Sequence, residues 1–180
     1  MKEKENNMIE NIWDWIKTIV FAIIIAMLFK IFIGDTTKVQ GNSMNDTLHN
    51  NDILYVDKIA MKINGPKIGD IVIIDAPDQN GVKYVKRIIA KPGDKVHIQD
   101  GKVYVNDKVI EEEYINIPQT VLTHETDTWN LLGDEYFVMG DNRIPGESND
   151  SRAFGPVKKN HILGHVVLRI LPFSDFGKLD

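Results

Sequence analysis

Gly41-Asn42-Ser43-Met44-Asn45-Asp46-Thr47-Leu48 and, some forty residues later, Tyr84-Val85-Lys86-Arg87-Ile88-Ile89 decide how this chain is read. Gly41 permits a tight turn and Ser43 would stand exposed on it. Serine is a weak nucleophile and needs a base. A lysine serves as that base only where burial disfavours its charged form. Lys86 has Val85 before it and Ile88-Ile89 shortly after, an apolar setting. Val82 to Ala90 reads as a β-strand that ends at the turn signal Lys91-Pro92-Gly93-Asp94. Alternation puts Tyr84, Lys86 and Ile88 on one face and Val85, Arg87 and Ile89 on the other. The expectation is Lys86 inward, with Arg87 outward or in a salt bridge. Taken singly, Ser-Met is an ordinary turn and Lys-Arg an ordinary solvated face.

A third stretch completes the constellation. Glu135 to Gly140 reads as a strand running into Asp141-Asn142-Arg143, then Ser148-Asn149-Asp150-Ser151-Arg152-Ala153-Phe154-Gly155. Short β-branched runs at Asp52–Val56, Gly69–Ile74 and His165–Ile170 supply further strands. Asp100-Gly101 is a hairpin signal between two alternating runs, and Asn106-Asp107 marks another turn. Residues 111–130 are polar and irregular. Residues 95–135 read as a small β insertion on the core, offering no residue for chemistry.

Composition narrows the possible functions. A net charge of −5 opposes a nucleic-acid partner, which needs a basic face. The absence of cysteine excludes disulfides, thiol catalysis and zinc–thiolate sites. The five histidines form no ligand pattern, so no metal and no cofactor is expected. Residues 1–17 are polar with mixed charge, and 18–33 are apolar except for Lys30. That apolar segment suits a buried core helix, a cleavable signal peptide or a membrane span. Trp13 and Trp15 at one end, Lys30 near the other, and no small-residue cleavage site after the core favour an uncleaved anchor.

With these three motifs in this order, the chain resembles the bacterial type I signal peptidases, in their short Gram-positive form with one membrane anchor. The resemblance implies a mostly β catalytic domain of the kind shared with SOS-repressor autopeptidases. It implies residues 1–17 in the cytoplasm, 18–33 across the membrane and 34–180 outside. Ser43 would be the nucleophile and Lys86 the general base. Ser148 would hydrogen-bond Lys86; Asp150 and Arg152 would form an ion pair, with Asp141 and Arg143 in support. Met44 and Gly41 would contact substrate, although Met44 also suits a buried filler. The partners would be exported preproteins, with small residues before the cut, and membrane lipid. Two departures from the family pattern stand out. Asp46 occupies the place of a proline, and four residues, Ile144 to Glu147, separate Arg143 from Ser148 where the family has two. They keep open a specialised or catalytically weak homologue, such as a pilus-assembly partner; the Ser-Met-x-Asp stretch alone also fits a repressor-type autopeptidase.

Overall fold

The computed structural model describes residues 2–32, 34–45, 47–115, 117, 119–122 and 127–179, with side chains except at 2–11, 28–32 and Ala60. The departure at Asp46 lies outside them. Helix α1 runs from Lys2 to Phe32, so the polar 1–17 stretch continues into the apolar one as a single helix. Its apolar side chains between Ile12 and Met27 are exposed among the described residues; Phe21 is 65% exposed and Trp15 70%. Among the described residues, no helix is long and apolar enough to cross a membrane.

β1 (Gly34–Lys38) pairs antiparallel with β2 (Ile53–Asp57), which is followed by the short helix α2 (Ile59–Asn64). β3 (Ile71–Asp75) and β4 (Lys83–Ala90) form the next antiparallel pair. A second, four-stranded sheet follows: β5 (Lys95–Gln99), β6 (Lys102–Val105), β7 (Lys108–Val109) and β8 (Thr128–Asn130), in the order β7-β6-β5-β8. Its two turns have positive φ at Asp100 and Gly101 and at Asn106 and Asp107, as two-residue hairpins require. The chain returns to the main sheet with β9 (Glu135–Met139), the single turn α3 (Ser151–Phe154), β10 (Val157–Lys158), β11 (Ile162–Leu171) and β12 (Gly177–Lys178).

The main sheet runs β1-β2-β11-β3-β4-β9-β10, with β12 on β11, and all its pairings are antiparallel. Two register shifts in β11 against β2 bend it, as bulges do. The curled sheet holds Val39, Met44, Leu48, Leu54, Val56 and Ile73 in one apolar cluster. A second cluster joins Val72, Ile74, Ile88 and Val138 to Met61 of α2. The third joins the two sheets: Ile89, Ala90, Phe137 and Met139 pack on Val96, Ile98 and Val103. From Lys86 to Ala90 β4 is therefore covered on both faces, and Arg87 is as buried as Lys86. Alternation alone anticipates one wet face; the second sheet removes it, leaving Arg87 the salt bridge as its solution.

Candidate active site

Ser43 sits in the turn that follows β1, half-buried, between exposed Gly41-Asn42 and buried Met44. Gly41 has φ +94°, a left-handed conformation that costs a side-chain-bearing residue, and its N–H donates to Asn50 Oδ1 at 3.2 Å. The Ser43 carbonyl accepts from the Asn142 N–H at 3.0 Å, and Asn142 Nδ2 donates to the Asn42 carbonyl at 3.0 Å. Two bonds from one residue thus hold the turn against the 140–143 loop. A Cβ on Gly140 would collide with Ser148 Oγ and the Ser43 carbonyl oxygen, so glycine there sets how closely the two segments approach.

Lys86 extends from the middle of β4 to this turn. Its Nζ donates to Ser43 Oγ at 2.7 Å and lies 5.3 Å from the centre of the Tyr84 ring. The side chain is 2% exposed. Burial pushes the amine down to about 8; Asp150, Asp141 and Asp78 oppose that shift, and Arg152 adds to it. A buried ammonium is expensive, and here the neutral amine is the form that can accept a proton.

Around the pair lie three buried arginines, each with its own carboxylate. Arg152 binds Asp150 through two bonds of 2.8 and 2.7 Å. Arg87 binds Asp141 through two bonds of 3.0 and 2.8 Å. Arg143, 1% exposed, binds both oxygens of Glu112 and donates to Thr120 Oγ1 at 2.6 Å. Asp150 also accepts from Ser148 Oγ at 2.7 Å and the Gly140 N–H at 3.0 Å. Burial alone would raise the Asp150 carboxyl; the Arg152 guanidinium, with these two donors, overrides it and holds the group below the ordinary carboxylate range.

Several sequence expectations meet the geometry here. Ser43 and Lys86 are brought together, and Asp150 and Arg152 are paired. Ser148 is buried beside them, but its hydroxyl bonds Asp150; among the described hydrogen bonds none links it to Lys86. Asp141 and Arg143 support different neighbours: Asp141 holds Arg87 and accepts from Thr47 Oγ1, while Arg143 holds Glu112 and the Gly140 carbonyl. Met44 is wholly buried in the sheet core and also borders the cleft beside Ser43. The long connection 144–147 bulges into solvent: Gly146 takes φ +82° and the Glu147 N–H returns to the Ile144 carbonyl. Its far flank stays in place, and Asn149 Nδ2 donates to Asp78 Oδ2 at 2.7 Å.

The insertion, read as offering packing or substrate contact and no residue for chemistry, contributes most of what the sequence concealed. Glu112 neutralises Arg143, the Tyr114 ring lies 4.1 Å from the Arg87 guanidinium, and the Val121 carbonyl accepts from Arg152 at 3.1 Å. The connection between β7 and β8 thereby touches all three arginines. Glu112 is hidden within Glu111-Glu112-Glu113, which reads as a solvated run until the fold brings Arg143 to it.

Ser43 opens onto a cleft of about 410 Å³ lined by Thr37, Val39, Ile73, Val82 and Val85 among others. β1 is the edge of its sheet, and β9 pairs with β4 only from Arg87 onward, so Lys83 to Val85 carry an unpaired edge. Two free backbone edges beside an apolar floor suit an extended peptide.

A family model described as signal peptidase, peptidase S26, matches residues 12–171. The chain belongs to that family. Signal peptidase I of Bacillus licheniformis is 36% identical to it over 99% of both chains. Signal peptidase I of Bacillus amyloliquefaciens is 37% identical over 97% of this chain and 91% of its own. Signal peptidase I P of Bacillus subtilis subsp. natto is 37% identical over 97% of each. Membership makes the chain a peptidase, a hydrolase of peptide bonds.

Proposed function

We propose that the protein is a membrane-tethered endopeptidase that removes signal peptides from exported preproteins, with Ser43 as nucleophile and neutral Lys86 as base. The observation that carries the roles is the 2.7 Å contact between a surface-reaching hydroxyl and an amine buried enough to give up its proton near neutral pH. Neutral Lys86 Nζ accepts the Ser43 proton as Oγ bonds to the scissile carbonyl carbon. The C–N bond then breaks, and Lys86 returns that proton to the leaving amine. Lys86 next takes a proton from water as the water attacks the acyl ester, and delivers it to the departing Ser43 Oγ. In this reading the Ser43 N–H serves as an oxyanion donor. Asp150–Arg152, Asp141–Arg87 and Arg143–Glu112 serve as the supporting frame, with Ser148 acting on Lys86 through Asp150. The exposed apolar side chains of α1 support its role as a single-pass anchor, with the catalytic domain on the extracytoplasmic side. The anchor confines enzyme and preprotein to one surface and raises their effective concentration.

The test is cleavage of a preprotein bearing an Ala-x-Ala site by the detergent-solubilised protein and by Ser43→Ala and Lys86→Met. Cleavage at that site by the wild type alone is expected. Residual cleavage by either variant, in folded protein, would refute the assigned roles.

A further inference from the structure

The cleft beside Ser43 does not end at Thr37. Thr37, Ile73 and Lys83 are also walls of an adjoining groove of about 390 Å³, floored by Val56 and Leu163. The two volumes adjoin across these three shared walls. The first part mixes apolar groups, Val39, Val82 and Val85, with Lys38 and Gln40. The second is cationic: Lys58, Lys62 and Lys83 line it against a single acid, Asp35. Asp35 Oδ2 accepts from Lys58 Nζ at 3.3 Å. Lys62 and Lys83 are exposed and make no ion pair among the described residues. A chain of net charge −5 thus lines this groove with three lysines, and Lys38 in the adjoining cleft is of the same sign.

We infer that this cationic groove is a second specificity subsite, taking an aspartate or glutamate side chain of the preprotein several residues before the cut. The inference rests on the proposed signal-peptide cleavage. Its direction follows from the fold: Asp35 and Thr36 lie at the start of β1, next to the end of α1, and Ser43 lies beyond the other end. The apolar core of a signal peptide shares the membrane with α1, so the segment between that core and the cut runs toward the Asp35 end. Asp35 to Thr37 lie eight to six residues before Ser43, so a peptide lying along β1 brings a side chain about six residues before the cut to the groove that Lys58, Lys62 and Lys83 line. A carboxylate there meets two unpaired ammonium groups, whereas a lysine meets like charge.

The experiment uses the full-length protein in neutral detergent and three preproteins with one Ala-x-Ala site, differing only in the residue six before the cut: glutamate, alanine or lysine. Wild-type kcat/KM for glutamate is expected to exceed that for lysine about five- to tenfold at low salt, narrowing as salt rises. In the double variant Lys62→Glu, Lys83→Glu the order reverses. Each ratio is taken within one protein, so damage to the overall rate does not affect the reading. Equal rates for the two charged substrates, or an unreversed preference in the variant, would overturn the subsite and leave the proposed function intact. Failure to cleave all three would overturn both. If rates are equal but wild type, and not the variant, binds vesicles containing anionic lipid, the groove belongs to a headgroup and the peptide subsite is rejected.

Discussion

In the proposed mechanism, with Lys86 held at about 8, pH decides how much of the enzyme can begin acyl transfer. At pH 7 about one molecule in ten has the neutral amine, at pH 8 about half, and at pH 9 about nine in ten. kcat/KM for a preprotein follows ionisation of the free enzyme, so it should climb tenfold per pH unit at the acid end, bend near 8 and level off above 9. The total gain from pH 6 to pH 9 is about ninetyfold, since the neutral fraction rises from about 1% to about 90%. Cleavage is followed by gel or fluorogenic peptide at substrate well below KM, with folding monitored at each pH. A lysine with its ordinary value of 10.5 would still gain about eightfold from pH 9 to pH 10. That outcome, or a flat profile between pH 6 and pH 7, would refute Lys86 as the base and leave its burial as simple packing.

The same burial has a stability counterpart. Between about 8 and 10.5 the folded state binds fewer protons at Lys86 than the unfolded state, so stability rises with pH through that window and the cost is complete below it. The difference corresponds to about 3 kcal/mol, so Lys86→Met should unfold at higher urea at pH 7 by about 1–3 kcal/mol, its lost hydrogen bond included; an unchanged midpoint would contradict this. Glu112→Ala leaves the Arg143 guanidinium buried and unpaired, and should destabilise by about 3–5 kcal/mol in the same measurement, whereas a loss under 1 kcal/mol would mean Arg143 finds another partner. Gly140→Ala drives a methyl group into Ser148 Oγ and the Ser43 carbonyl and should abolish cleavage, while the far-ultraviolet circular dichroism stays that of the wild type; near-normal kcat/KM would show that the loops can separate without consequence.

Most of the strands were legible because their signals are local. Alternation and turn chemistry mark β4, the Asp100-Gly101 hairpin and β9 from a few neighbouring residues each. Ser43 and Lys86 were legible as partners from three short motifs in order, and the Asp150–Arg152 pair through the family resemblance those motifs carry. β8 was missed: Thr128–Asn130 is three residues long in a polar stretch and exists by pairing with β5. The partners of Arg87 and Arg143 were missed for a similar reason, since two arginines and their carboxylates can combine in several ways. Spatial approach alone gives Asp141 to Arg87, 54 residues away, and Glu112 to Arg143, 31 away.

The sequence by itself determined a mostly β chain with an apolar N-terminal segment, and which serine and lysine could work together. It did so because turn residues, alternation and residue chemistry act over a few positions. Tertiary structure alone decided that β4 is buried on both faces from Lys86 to Ala90, that Lys86 Nζ lies 2.7 Å from Ser43 Oγ, and that the connection between β7 and β8 grips the three arginines around them. Those outcomes depend on desolvation and on charges converging from distant segments. Neither quantity is a property of any stretch of chain before it folds.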